Sequence, residues 1–181
     1  NALRIALKKT GRSKIVALEY GFHGRTAAAS AVTWGAAGKW YGFPRTPFDV
    51  EFVARDNIEN AVKAIDSNTA AVILELVQGV AGAYDLDIGF VNAVAAACKR
   101  SGALLIVDEV QTGVGRCGAG FAAQVYKLQP DILTTAKALA TGFPCGTVLL
   151  TEDVAACLHN GDLGTTFGGG PLACRLIATV I

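Results

Sequence analysis

The sequence predicts an α/β domain with a mostly parallel sheet that is covered by helices on both faces. Two observations lead to this prediction. Apolar runs rich in β-branched residues alternate along the chain with amphipathic stretches of helical spacing, as in crossover-connected parallel strands. In addition, 52% of the 181 residues are hydrophobic and 17% are charged, so the chain can bury the large core that such a sheet requires.

Strands are predicted where short apolar runs are bounded by turn-forming or polar residues. Six runs meet this description: Lys14–Glu19, Val50–Ala54, Ala70–Val77, Ala103–Val110, Asp131–Thr134 and Gly146–Leu150. Because most positions in these runs are apolar, both faces of the sheet are expected to be covered.

Two helices are predicted between these strands, where they can serve as crossovers. The first spans Asn57–Ser67 and has Asn57 as its N-cap. The second spans Phe90–Arg100, is rich in alanine and is closed by Gly102. The loop from Gly35 to Pro47 is the longest irregular stretch. No repeat or linker divides the chain, so one domain is expected.

Composition argues against several function classes. The 16 Lys+Arg and 15 Asp+Glu residues give a net charge of +1, without the basic excess of a nucleic-acid-binding protein. The longest uncharged stretch, Ala138–Thr151, has 14 residues, whereas a membrane-spanning helix needs ~20. Five cysteines without a C-x-x-C pair predict reduced thiols in a cytoplasmic protein. The two histidines, His23 and His159, are too scattered to indicate a metal site.

Charged residues follow two successive strands, at the edge where open parallel sheets bind ligands. Asp108 lies near the end of one strand, and Lys137 follows the next strand, 29 positions later. One interpretation is a structural ion pair, because buried charges are costly without partners. The other is a pyridine-aldehyde cofactor, which requires a lysine to form the Schiff base and an acid to keep the ring nitrogen protonated.

A glycine run after the same strand allows a third interpretation. Gly113, Gly115 and Gly118 match G-x-G-x-x-G, the dinucleotide fingerprint. In that fingerprint the first glycine directly follows the strand, so that the pyrophosphate meets a helix N-terminus. Here Asp108 to Thr112 intervene, and an irregular loop is favoured over a dinucleotide-binding oxidoreductase domain.

Four segments carry a family resemblance across nearly the whole chain: GFHGRT (Gly21–Thr26), LIVDEVQTGVGRCG (Leu105–Gly118), TTAKALATGFPCG (Thr134–Gly146) and GTTFGGGPLAC (Gly164–Cys174). In order and spacing they resemble class III pyridoxal-phosphate-dependent aminotransferases, most closely the acetylornithine/ornithine type. The resemblance implies the large domain of the fold type I enzymes. It also implies transfer of an amino group between an amino acid such as acetylornithine or ornithine and a 2-oxo acid such as 2-oxoglutarate.

The resemblance assigns cofactor roles position by position. Lys137 matches the Schiff-base lysine, which is also the general base and acid, and Asp108 matches the acid that pairs with the pyridinium nitrogen. Gln111 matches the residue beside the phenolic oxygen of the cofactor. Phe22 and His23 match the cofactor-contacting segment, in which the aromatic side chain stacks on the ring.

Three more roles are implied in the same way. Arg25 matches the arginine that holds a substrate carboxylate, a task that suits a guanidinium fork. Glu75 matches a glutamate near the cofactor and substrate. Thr166 matches a threonine that reaches the cofactor phosphate of the neighbouring subunit, so a homodimer is implied.

The chain also departs from the family pattern. Leu76 and Val80 replace the proline and second glutamate of the family's E-P-x-Q-G-E-x-G stretch, and Gly170 replaces a common asparagine. The change at Val80 leaves the substrate open, so a 4-aminobutyrate-type aminotransferase and an aminomutase remain alternatives.

The two ends predict that the sequence is a central piece of a larger protein. The chain starts at Asn1, contains no methionine, and stops at Ile181 inside an apolar run. Family members carry a phosphate-binding loop before the first position and a small domain after the last. We therefore expect residues 1–181 to be the central part of a pyridoxal-phosphate-binding large domain. An inactive fragment or interaction module is the remaining alternative.

Overall fold

The computed structural model describes residues 1–181 and is built around a six-stranded sheet. The strands of the chain are β1 (Lys14–Leu18), β2 (Asp49–Val53), β3 (Thr69–Leu74), β4 (Val77–Gln78), β5 (Tyr84–Asp85), β6 (Leu104–Asp108), β7 (Ile132–Thr135) and β8 (Thr147–Leu150). The order in the main sheet is β2-β1-β3-β6-β7-β8, and only the β7–β8 pair is antiparallel. Strands β4 and β5 form a separate antiparallel pair. The predicted mostly parallel sheet is confirmed.

All six predicted strands are present, with corrected ends. β3 stops at Leu74 and β6 stops at Asp108, so the predicted strands Ala70–Val77 and Ala103–Val110 were too long. Both strands are followed by the same type of residue. The next residue is a buried glutamate, Glu75 or Glu109, whose side chain accepts hydrogen bonds from backbone amides of other loops and helices.

Eight α-helices surround the sheet: α1 (Ala2–Thr10), α2 (Ala27–Ala31), α3 (Ala36–Lys39), α4 (Ile58–Ala64), α5 (Ile88–Ser101), α6 (Ala122–Val125), α7 (Glu152–Ala155) and α8 (Pro171–Val180). The predicted cap of α4 is confirmed, since the Asn57 side chain accepts a hydrogen bond from the Asn60 amide at 3.1 Å. The predicted end of α5 is confirmed as well: Gly102 has a φ of 72°, which favours glycine.

Some predicted helix limits are wrong. Helix α4 ends at Ala64, before the predicted Ser67. Helix α5 starts at Ile88, because the Asp87 side chain caps it by accepting from the Phe90 amide at 2.9 Å. The loop from Gly35 to Pro47 contains the short helix α3.

Two apolar clusters lie on opposite faces of the sheet, which confirms that helices cover both faces. One cluster joins residues of α4, α5 and α6 to alternate residues of the central strands, and Phe90 is its largest fully buried side chain. The other joins α1 and α2 to the intervening strand positions, with Ile5 and Ile106 fully buried. In each strand, successive side chains therefore enter different cores.

The five cysteines differ in burial, and only one of them is buried. Cys98 is buried in the core, and burial raises the pKa of its thiol to about 12. Cys117 and Cys174 are exposed, and Cys145 and Cys157 are half-buried.

No helix combines the length and the apolar character that crossing a membrane requires.

Candidate active site

A cavity of about 150 Å³ lies at the carboxyl ends of β6 and β7. It is lined by Phe22, His23, Gly24, Glu75, Val80, Asp108, Val110, Gln111 and Lys137. Asp108 is the last residue of β6 and pairs in register with Thr134 of β7, and Lys137 follows β7 after one intervening residue. Six of the eight predicted site residues are thus brought together at the edge where the parallel sheet was expected to bind a ligand.

The Asp108 carboxylate is buried and hydrogen-bonded to three groups. Its Oδ2 lies 2.8 Å from Nδ1 of His23, and its Oδ1 accepts from the Val110 amide and the Thr134 hydroxyl, each at 3.1 Å. Burial opposes ionisation, but the hydrogen bond and charge of His23, with the two further hydrogen bonds, outweigh it and lower the pKa of Asp108 below its usual value. Asp108 is therefore a carboxylate at neutral pH, and His23 donates to it through Nδ1.

The pairing of His23 with Asp108 was not predicted. The two residues are 85 positions apart, and a single histidine in GFHGRT carries no local signal for its partner. The interpretation of Asp108 and Lys137 as a structural ion pair is wrong, because Asp108 pairs with His23. The lysine amine is consequently left available on the cavity wall.

The backbone of Lys137 is held in a conformation that non-glycine residues rarely adopt. Its φ is 47°, and it begins a 3₁₀ helix, Lys137–Ala140. Such strain costs of order 1–3 kcal/mol and is concentrated at functional sites. The amine of Lys137 donates to Oε1 of Gln111 at 3.4 Å.

Glu75 joins two segments of the cavity wall. Its Oε1 accepts from the Phe22 amide at 2.9 Å, and its Oε2 accepts from the Gly79 amide at 3.2 Å. Burial raises the pKa of Glu75 above its usual value, and the two amide hydrogen bonds partly offset this effect. The carboxyl group therefore fixes the loop that carries Phe22 relative to the hairpin formed by β4 and β5.

Two predicted site residues lie outside the cavity. Arg25 is exposed, and its guanidinium stacks over the Trp40 ring with 4.4 Å between the guanidinium carbon and the ring centroid. Thr166 is exposed in the loop that precedes α8. Their roles in substrate binding and in the neighbouring subunit stay predictions.

The glycine run does not have the geometry of a dinucleotide site. Strand β6 ends at Asp108, and the next helix, the four-residue α6, begins only at Ala122. Gly115 and Gly118 have φ values of 84° and 81° and form turns. The irregular loop favoured from the sequence is present, and the dinucleotide alternative is not favoured.

Sequence reasoning gave no role to Glu109, which organises this loop. Glu109 is fully buried, and its carboxylate accepts from the Thr112 hydroxyl at 2.6 Å and from the amides of Ala122 and Ala123 at 2.9 and 2.7 Å. A glutamate in a glycine-rich stretch has no periodic pattern that distinguishes it from a solvated residue. Its role depends on a helix that starts 13 residues later.

The cavity has the functional groups that a pyridoxal phosphate ring requires. Asp108 supplies a carboxylate that stays ionised, Lys137 supplies an amine without a carboxylate partner, and Phe22 supplies an aromatic ring. Asp108 and Lys137 would hold the ring nitrogen and the aldehyde, respectively. The residues present therefore fit this cofactor.

Comparisons with known proteins agree with the geometry. Residues 1–181 match the family model described as Aminotransferase class-III. The acetylornithine aminotransferase of Archaeoglobus fulgidus is 47% identical over 99% of this chain and 48% of its own length. The [LysW]-aminoadipate semialdehyde/glutamate semialdehyde transaminase of Sulfolobus acidocaldarius is 46% identical over 97% of this chain and 45% of its own. The chain thus spans about half the length of the curated relatives it matches.

Solved structures show the same fold. The ornithine aminotransferase of Toxoplasma gondii superposes with a TM-score of 0.91 at 32% identity, covering 99% of this chain and 45% of its own. Another structure of that enzyme has pyridoxal phosphate at partial occupancy in its active site. An ω-transaminase of Thermomicrobium roseum has a TM-score of 0.90 at 30% identity, covering 99% of this chain and 47% of its own.

Proposed function

Because the chain belongs to the class-III aminotransferase family, we propose that residues 1–181 form the central, cofactor-binding part of a pyridoxal-phosphate-dependent aminotransferase. One observation supports this most strongly. The Asp108 carboxylate and the Lys137 amine line the same cavity of about 150 Å³, and Asp108 pairs with His23 and not with the lysine. Each group is thus free for a separate chemical task.

Several residues that line the cavity have separate roles in the proposed reaction. When bound, pyridoxal phosphate supplies an aldehyde and an electron-withdrawing ring. Asp108 keeps a proton on the ring nitrogen, and His23 holds the Asp108 carboxylate in place by donating to it. Lys137 would hold the aldehyde, and its amine would serve as the general base and acid that moves a proton. Phe22 would stack on the ring, and Gln111 would lie beside the phenolic oxygen.

We propose an acetylornithine-type amino donor and a 2-oxo acid acceptor such as 2-oxoglutarate. The names of the relatives support this class of substrate. Val80 lines the cavity and is 69% exposed, so in the proposed complex an apolar side chain would face the substrate at this position. In the proposed complex Arg25 holds a substrate carboxylate, and Glu75 fixes the part of the cavity wall that lies next to the substrate.

Thr166 completes the phosphate site of a second subunit in a homodimer. The cytoplasmic location remains a prediction.

The proposed substrate class predicts a ranking of amino donors. Amino transfer to 2-oxoglutarate is measured with acetylornithine, ornithine and 4-aminobutyrate. Two proteins are assayed. One is the chain of residues 1–181, and the other is a longer chain that also carries both flanking segments of the Archaeoglobus fulgidus relative. We expect the longer chain to turn over acetylornithine with the highest kcat/KM. Preference for 4-aminobutyrate, or isomerisation of the donor without transfer, would favour the alternative class III activities. No turnover of any donor would contradict the proposed activity.

A further inference from the structure

The side-chain amide of Gln111 lies directly on the backbone of Gly79. A Cβ atom at position 79 would lie 2.6 Å from Nε2 of Gln111 and closer still to its Oε1 and Cδ, where side-chain carbons do not pack. Gly79 is not among the residues with a positive φ. An alanine at position 79 would therefore displace the Gln111 amide, which is the far end of a flexible side chain, whereas the backbone conformation at Gly79 does not itself require glycine.

The backbone at Gly79 cannot easily move away from Gln111. Its amide donates to the buried Glu75 carboxylate at 3.2 Å. The preceding residue, Gln78, is fully buried, donates to the Glu19 carbonyl at 2.9 Å and accepts from the Arg55 guanidinium at 3.0 Å. The backbone of Gly79 is thus a fixed surface against which the Gln111 side chain packs.

Gln111 in turn contacts the amine of Lys137. The hydrogen bond from Nζ to Oε1 of Gln111, at 3.4 Å, is the only one that this amine makes. We propose that Gly79 is a positioning residue for Lys137, that it acts through Gln111, and that Glu75 anchors it. The catalytic meaning of this role rests on the proposed function, in which Lys137 is the reacting amine.

The Gly79→Ala variant tests this inference without cofactor. Alanine displaces the Gln111 amide, so that Lys137 loses its hydrogen bond and becomes freer to react. Acetylation of Lys137 by acetic anhydride is measured by mass spectrometry, relative to the exposed Lys63 of α4 in the same molecule. We expect a relative rate that is about twofold to threefold higher than in the parent chain, because the lost hydrogen bond is long and joins two exposed side chains.

A double-mutant cycle distinguishes positioning from a general structural effect. Gln111→Ala removes the side chain that a Cβ at position 79 would strike, so it is expected to raise the rate by itself. In that background Gly79→Ala should have no further effect. The matched control is Gly38→Ala, which places a methyl group in open space within α3 and should leave the rate unchanged.

Three outcomes would overturn the inference: an unchanged Lys137 rate in Gly79→Ala, additive effects in the double variant, or a double variant that fails to fold. The measurement needs no pyridoxal phosphate. Failure of the parent chain to bind that cofactor would therefore contradict the proposed function and leave this result standing.

Discussion

Replacing Lys137 by alanine is expected to lower the rate of amino transfer by about 10²–10⁴-fold, the usual contribution of a general acid–base residue. The left-handed backbone at Lys137 places its side chain on the cavity wall. No other lysine lines this cavity, so no other amine is positioned to replace it. The rate is measured at saturating cofactor in the longer chain with both flanking segments.

The control for this prediction is Lys63→Ala. Lys63 is exposed on α4, away from the cavity, so this variant should keep the parent rate. Without cofactor, both variants should unfold at the same temperature as the parent within error, because neither lysine is part of the core. A Lys137→Ala variant with nearly full activity would contradict the assignment of this residue.

Replacing Glu109 by alanine is expected to cause the largest loss of stability. Three buried donors, the Thr112 hydroxyl and the amides of Ala122 and Ala123, would lose their acceptor. Each unsatisfied buried donor costs about 1–3 kcal/mol, so we expect a loss of at least about 3 kcal/mol. This is a large fraction of the roughly 5–15 kcal/mol that stabilises a typical domain.

Urea unfolding measures this effect, with Glu109→Gln as the matched variant. The glutamine keeps one acceptor oxygen, so it should lose less stability than alanine. Glu59→Ala, at an exposed position of α4, should change stability by no more than about 0.5 kcal/mol. Equal stabilities of Glu109→Ala and Glu59→Ala would show that the carboxylate does not hold the loop.

The strands could be predicted because burial of both sheet faces produces apolar runs that are visible in the sequence. β3 illustrates this, since all six of its residues, Thr69–Leu74, are buried. By contrast, β4 and β5 have two residues each, and Tyr84 and Asp85 of β5 are exposed. Such a short pair is positioned by contacts across the chain, such as that between Gln78 and Glu19, and it has no periodic signal.

One part of the candidate site could be predicted, namely the reactive side chains that lie at the ends of adjacent strands. Asp108 and Lys137 follow adjacent parallel strands, so their shared edge could be derived from the sequence. The pairing of His23 with Asp108, the contact between Gly79 and Gln111, and the role of Glu109 could not be derived. Each depends on the packing of loops from different parts of the chain.

The central claim is that Lys137 is the residue that binds pyridoxal phosphate. Its most direct test is to incubate the chain, and the longer chain with both flanking segments, with the cofactor, reduce with borohydride, and map the modified peptide. We predict a single label on the peptide that contains Lys137, and none after Lys137→Ala. A label on another lysine, or no label on either chain, would contradict the account.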